Sequence, residues 1–305
     1  MNIHNIFLAL AMLATVTVGT TGYADTRNAS FDVDVEAGFH HDSNVGISDI
    51  DSVSGSSDTA RKIELGVLAK IPLNELFALR LGYDYADTAY EELSEFDLGL
   101  HHGIAEFSLD TAGFVTSLAV ERFVAVLDGD EYLEISQLTP SASKLIGNKL
   151  YVRAAFTDAS KEYDAWMNRD AESESIRMDA YWLIDGMDRY IAVGLQSGKE
   201  NALDDELDYE SFVSILTLGQ SLHLSRLPLE LKAQVKLENR DYVNATESIQ
   251  DLRRDDRLRA SVGAAVPLSD HFELKAIVEH SNTESNLDSA DVDKISYGVS
   301  ISASF

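Results

Sequence analysis

The chain contains no cysteine in its 305 residues. Disulfides, thiolate metal sites, a thiol nucleophile and a lipidated cysteine anchor are therefore excluded. Basic residues are scarce, with 24 Lys and Arg against 52 Asp and Glu, a formal net charge of −28. Phosphate backbones need a positive field, so nucleic acid is excluded as a partner. Hydrolase signatures are missing as well: there is no GxSxG elbow and no HExxH pair. The expectation is a protein that is not an enzyme and carries no cofactor. Long apolar runs are absent with one exception, residues 6–18, followed by the small-residue site Gly22-Tyr23-Ala24. That is the plan of a secretory signal peptide over residues 1–24, leaving 25–305 as one domain. A retained anchor is the alternative, but the run is well short of the ~20 residues of a spanning helix.

What is present is period two. From Ile295 the residues Ile295, Tyr297, Val299, Ile301, Ala303 and Phe305 alternate with Ser296, Gly298, Ser300, Ser302 and Ser304. Strand side chains point to opposite faces in turn, so this strand has one apolar and one small polar face. Phe31, Val33, Val35, Ala37 and Phe39 alternate likewise with Asp32, Asp34, Glu36 and Gly38. A face carrying three acids cannot sit in a dry core, so it looks at water. Fourteen stretches of this kind follow one another. Those over 96–109, 113–127 and 131–145 lose phase, and His101-His102-Gly103 suggests a bulge.

The connections separate a transmembrane barrel from a soluble β-sandwich. Short turns, such as 72–75, 110–113 and 267–271, alternate with longer acidic stretches at 40–60, 158–175, 198–208, 241–256 and 281–293. A sandwich has no reason to sort connections by end, whereas barrels pair short periplasmic turns with longer outer loops. The expected fold is an all-β, transmembrane, antiparallel up-and-down β-barrel of about 14 strands in the bacterial outer membrane. Its first and last strands should close the ring, because lipid satisfies no backbone group. Lipids and lipopolysaccharide would surround it, and the barrel assembly machinery would read a last strand marked by Tyr297 and Phe305.

The inward positions are charged. Asp32, Asp34, Glu36, Lys62, Glu64, Arg80 and Asp84 come from early strands, and Lys232, Lys236, Arg257, Arg259, Glu273 and Lys275 from late ones. They form either a pore wall whose field orients small polar solutes, or a salt-bridge network that stiffens the barrel. About fourteen strands leave some lumen unless a loop folds in. His40-His41 and His101-His102 are adjacent in strands, so neither pair converges on one ion. Asp49-Ile50-Asp51 hints at calcium without the ligands of a full loop. The acidic loops could bind divalent cations loosely, or act as a surface for a binding partner.

Several short stretches carry a resemblance. They are residues 38–45 (GFHHDSNV), Arg169-Asp170, Asn239-Arg240-Asp241-Tyr242, Arg253-Arg254-Asp255-Asp256, Ser281-Asn282 and the end of the chain from Tyr297. Together they are similar to the C-terminal barrel of the surface lipoprotein assembly modifier proteins and related barrels linked to tetratricopeptide repeats. The likeness is to the barrel alone, without the repeat domain. It implies fourteen strands and an accessory part in moving a surface lipoprotein across the outer membrane.

Overall fold

The computed structural model describes residues 29–224 and 227–305, so the signal-peptide segment 1–24 lies outside the described residues. The long strands are β1 (Ser30–Asp42), β4 (Asp58–Pro72), β5 (Phe77–Tyr90), β6 (Leu98–Thr111), β7 (Phe114–Leu127), β8 (Asp130–Ile146) and β9 (Leu150–Tyr163). They continue as β10 (Ala171–Leu183), β11 (Arg189–Ala202), β12 (Tyr209–Leu224), β13 (Leu227–Thr246), β14 (Asp251–Pro267), β15 (Phe272–Ser285) and β16 (Val292–Ser304). Two short strands, β2 (Gly46–Ile47) and β3 (Ser52–Val53), form a hairpin inside the β1–β4 loop. The fourteen long strands close into one antiparallel barrel, each paired with its neighbours in sequence and β1 paired with both β4 and β16.

The seam joins the acidic first strand to the serine-faced last one. Asp34 lies opposite Ser304, Gly38 opposite Ser300 and Asp42 opposite Ser296. The Phe305 N–H donates to the Val33 carbonyl at 2.9 Å, and Val33 returns the bond at 3.0 Å. Within the barrel no strand edge is left open, which is the condition for crossing a membrane with strands. Side chains reinforce the ladder: Ser304 Oγ donates to Asp34 at 2.5 Å, Ser300 Oγ to Glu36 at 2.6 Å and Ser296 Oγ to Asp42 at 2.5 Å. Gly38 is the tight point. A Cβ there would meet the Val299 carbonyl oxygen and lie 2.6 Å from Ser300 Cβ. Gly38→Ala should therefore pry the seam and cost about 1–3 kcal/mol. A lower temperature for loss of the heat-modifiable folded band on a gel is the expected result.

Outside, the apolar positions form a continuous belt. Ile63, Leu65 and Val67 on β4, and Val299 and Ile301 on β16, are exposed. Phe31, Phe39, Tyr83, Trp182, Tyr297 and Phe305 stand out among them as exposed aromatics. Water would penalise such a surface, whereas a hydrocarbon slab accepts it, and the chain is therefore an outer-membrane barrel.

Two expectations need correcting. There is no bulge at His101-His102-Gly103, because β6 pairs without a break to both β5 and β7 through these residues. The apolar pattern changes parity there because Leu98 and Leu100 face inward against the β1–β4 loop, while Phe107 faces out. Real irregularities occur at Ala125/Val126 opposite the β8 start, and between Asp241 and Ala245. The outer loops are also shorter than the acidic stretches suggested. The expected loop 241–256 shrinks to 247–250, because β13 and β14 extend as strands polar on both faces. Above the lipid nothing demands an apolar outer face.

The acids of these connections close turns. In three loops a single 3-10 turn is followed by an aspartate that accepts the backbone N–H at the end of the preceding strand. Asp97 holds Tyr90 at 2.7 Å, Asp170 holds Tyr163 at 2.7 Å and Asp208 holds Ala202 at 2.6 Å. Such a clamp satisfies a donor that the ladder no longer pairs.

Candidate functional site: the inner wall and the loop within it

The sequence placed acids and bases at inward positions, and the structure brings most of them together as ion pairs. Lys70 reaches Asp32 at 3.0 Å, and Lys275 bridges Glu36 at 2.8 Å and Glu273 at 3.7 Å. Arg80 meets Glu106 at 3.4 Å and Arg259 meets Glu279 at 3.3 Å. Lys62 pairs with Glu64. Asp84 holds His102 Nδ1 at 3.2 Å, and Glu121 takes the ring's other nitrogen at 3.3 Å. Lys236 binds Glu238 at 2.7 Å, and Arg257 binds Asp255 at 2.8 Å. Lys232 sits one inward step below Gln234 on β13, opposite Gly263. His40 and His41 point apart as expected: His40 bonds Asp42 inside, and His41 packs at a tilt against Tyr297 outside.

The feature that alternation did not reveal is the β1–β4 loop. Its hairpin folds into the outer half of the lumen and crosses it. Val45 and Ile47 are buried against Leu98, Leu100, Phe123, Leu133 and Ile135 on the inner face of β6–β8. This is a hydrophobic core inside a membrane barrel. It explains why those strands are apolar on both faces, since one side meets lipid and the other meets the loop.

The hairpin tip is held by charge. Asp51, at the left-handed end of the turn with φ 51°, projects its carboxylate onto two arginines. Arg253 donates from Nη2 to Oδ1 at 2.9 Å and from Nη1 to Oδ2 at 3.1 Å. Arg169, from the β9–β10 loop, donates to Oδ2 at 2.9 Å and to the Asp49 carbonyl at 2.8 Å. Behind Arg253 stands Asp255, fully buried, which accepts Nε at 2.9 Å and Nη2 at 2.9 Å. Asp255 also accepts Arg257 at 2.8 Å and Ser285 Oγ at 2.7 Å. The guanidinium lies 4.6 Å over the Tyr242 ring. Asp51, read from sequence as a possible calcium ligand, is thus an arginine ligand instead. Among the described residues no cluster of metal-binding side chains is found.

Beyond the tip lies a cavity of about 30 Å³ bordered by Asp49, Lys161, Tyr209, Arg240 and Arg257. Asp49 Oδ2 and Arg257 Nε are buried there without a hydrogen-bond partner among the described residues. Lys161 pairs with Glu200, which also accepts the Tyr209 hydroxyl at 2.9 Å. Arg240 pairs with Glu238 at 2.7 Å and covers the Tyr209 ring at 4.4 Å.

Acid should test the seating of this loop. Burial alone would push the Asp51 carboxyl up, but hydrogen bonds and charge from Arg253, then Arg169, hold it at about 2, against an ordinary 3.8. The ionised form is thus favoured when the loop is seated. Its contribution, roughly 2 kcal/mol, is complete above 3.8 and is lost as pH falls through about 2. Asp49 acts oppositely, because burial raises it and its protonation relieves a cost of seating. Acidification from pH 7 to 4 should therefore leave the loop seated, with release confined to lower pH. Tryptophan fluorescence can follow this, since Trp166 packs against the core that holds Val45 and Ile47.

Of the sequence stretches behind the family resemblance, Arg169, Arg240 and Arg253 border this site and Asp42 lies at the loop's root on the seam, whereas Ser281-Asn282 and the end of the chain from Tyr297 lie elsewhere on the barrel wall. No family model matches the chain, and no curated protein matches it. Solved structures do show the fold. An anion-selective porin from Comamonas acidovorans superposes with a TM-score of 0.54 at 9% identity, covering 91% of this chain and 99% of that one. Outer-membrane expressed OmpT of Vibrio cholerae gives 0.55 at 9% identity, covering 92% and 99%. At this identity the likeness carries the porin-like barrel and nothing finer.

Proposed function

We propose that this protein is an outer-membrane channel for small polar or charged solutes, held shut in the present state by its own first outer loop. The observation that carries the reading is the loop itself. A hairpin that roots at β1 and reaches Arg169 beyond β9 spans the lumen, and a barrel with nothing to pass has no use for such a crossing. The wall keeps an acidic flank at the seam (Asp32, Asp34, Glu36) and a more basic one on β13 and β14 (Lys232, Lys236, Arg257, Arg259), of which Arg257 borders the loop tip. That asymmetry sets up a transverse field in which polar solutes orient. One structural relative is an anion-selective porin, and the arginine-rich vestibule of this chain supports the same sense of selectivity once the loop leaves. The field is damped by the ion pairs, so the wall also stiffens the barrel. Lipid and lipopolysaccharide surround the belt, and Tyr297 and Phe305 are the residues through which the assembly machinery would recognise the last strand.

The test is reversal potential in planar bilayers under a salt gradient, on protein whose loop has been shortened. Asp34→Asn should move selectivity toward anions, and Arg259→Gln toward cations. A barrel that inserts with its loop removed and still passes no current would sink the channel reading. An accessory part in surface-lipoprotein export is the second reading, favoured by the fourteen-strand barrel and by three residues of the resembling stretches, Arg169, Arg240 and Arg253, that border the loop site. Deleting the gene should then strip a specific lipoprotein from the cell surface, and an unchanged surface proteome would decide against it.

A further inference from the structure

Asp51 occupies its site in the manner of a ligand. The Arg253 guanidinium has two usable edges, and Asp255 takes one of them through Nε and Nη2. The Nη1–Nη2 end is left pointing into the lumen, fixed in plane by Asp255 and supported beneath by the Tyr242 ring. A planar fork set this way matches the two oxygens of one carboxylate. Arg169 completes the claw from the opposite side with a bond to Oδ2 at 2.9 Å. Arg253 belongs to the wall and Arg169 to the β9–β10 loop, while the carboxylate they hold belongs to a different loop, joined only through its two ends.

Removing the loop would leave Arg253 and Arg257 sharing Asp255 and take Asp51 from Arg169, an excess of two positive charges among these four residues. Arg257 Nε, buried and without a partner among the described residues, adds a donor on the adjoining cavity. Leaving buried guanidinium groups uncompensated is costly, so an external anion gains where Asp51 departs. Such an anion must present two coplanar oxygens to take the whole fork, as a carboxylate does and a halide does not.

We infer that the Arg253–Arg169 fork is a binding site for organic carboxylates, that Asp51 is its built-in occupant, and that an incoming carboxylate competes with Asp51 and releases the loop. This names a substrate class for the channel reading and rests on it for transport, but binding at the fork does not require conduction. The experiment uses full-length protein refolded in detergent, with folding verified by heat-modifiable gel mobility, and follows the ¹⁹F line width of trifluoroacetate. Asp51→Asn should broaden the line at concentrations at least about tenfold lower than wild type. Adding Arg253→Gln to it should weaken binding by at least about tenfold. Arg169→Gln, on a loop rather than in the buried wall, should weaken binding as well and keeps the test open if the Arg253 variant does not fold. Acetate should displace the probe at far lower concentration than chloride. Equal broadening with both arginines replaced, no broadening in Asp51→Asn, or equal competition by chloride would overturn the inference. Binding with these properties in a loop-shortened barrel that never conducts would remove the channel reading and leave the carboxylate site standing.

Discussion

Replacing residues 45–54 by a short Gly-Ser linker should turn a closed barrel into a conducting one, with unit conductance rising by at least about tenfold. The excised segment contains the whole β2–β3 hairpin, including Val45 and Ile47 of the internal core and Asp51 of the arginine site. None of it contributes to the barrel ladder, so the ring should assemble without it. Asp51→Asn is the milder form of the same experiment. It removes the charge worth roughly 2 kcal/mol of seating and leaves the apolar contacts, so the open-to-closed ratio should rise about 30-fold rather than without limit. Brief openings in the point variant and sustained ones in the linker variant are the expected pattern in single-channel records.

Asp255→Ala should be the most damaging single substitution in the wall. Asp255 is fully buried and is the shared partner of Arg253, Arg257 and Ser285. Its loss strands two buried guanidinium groups side by side, which is worth about 3–5 kcal/mol. The urea midpoint of the refolded barrel should fall accordingly. Asp255→Asn keeps acceptor capacity for one arginine and should cost less. A midpoint unchanged by the alanine variant would show that the cluster is solvated rather than buried.

Much of the barrel was legible because lipid imposes a simple rule on sequence. Ile63, Leu65 and Val67 must face out wherever β4 lies in hydrocarbon, and Lys62, Glu64 and Lys70 are then inside. The seam was legible for the same reason, since a ring in lipid can close only through its first and last strands. The pattern fails where the rule is suspended. Strands β6–β8 meet apolar neighbours on both sides, so period two fades and looks like a bulge. Above the membrane, β13 and β14 are polar on both sides and look like loops. The wall side of the arginine site lay in the second of these zones. One signal was available: Arg253, Asp255, Arg257 and Arg259 continue the inward parity of β14 upward, as Glu238, Arg240 and Tyr242 do for β13. A run of alternating charges that outlasts its apolar partner face marks a strand rising beyond the bilayer. The partner Asp51 could not be found this way, because it lies more than 200 residues from Arg253 in sequence.

The absence of cysteine offers the most direct test of the closed state, because a single introduced thiol is the only one in the chain. Val45→Cys places it in the buried core beneath the hairpin, and Ser57→Cys places one at an exposed position of the same loop. With the loop seated, a membrane-impermeant maleimide should label Ser57→Cys promptly and leave Val45→Cys unmodified until Asp51→Asn is added. Labelling of Val45→Cys at the rate of Ser57→Cys in the otherwise unaltered protein would contradict a loop that closes the barrel.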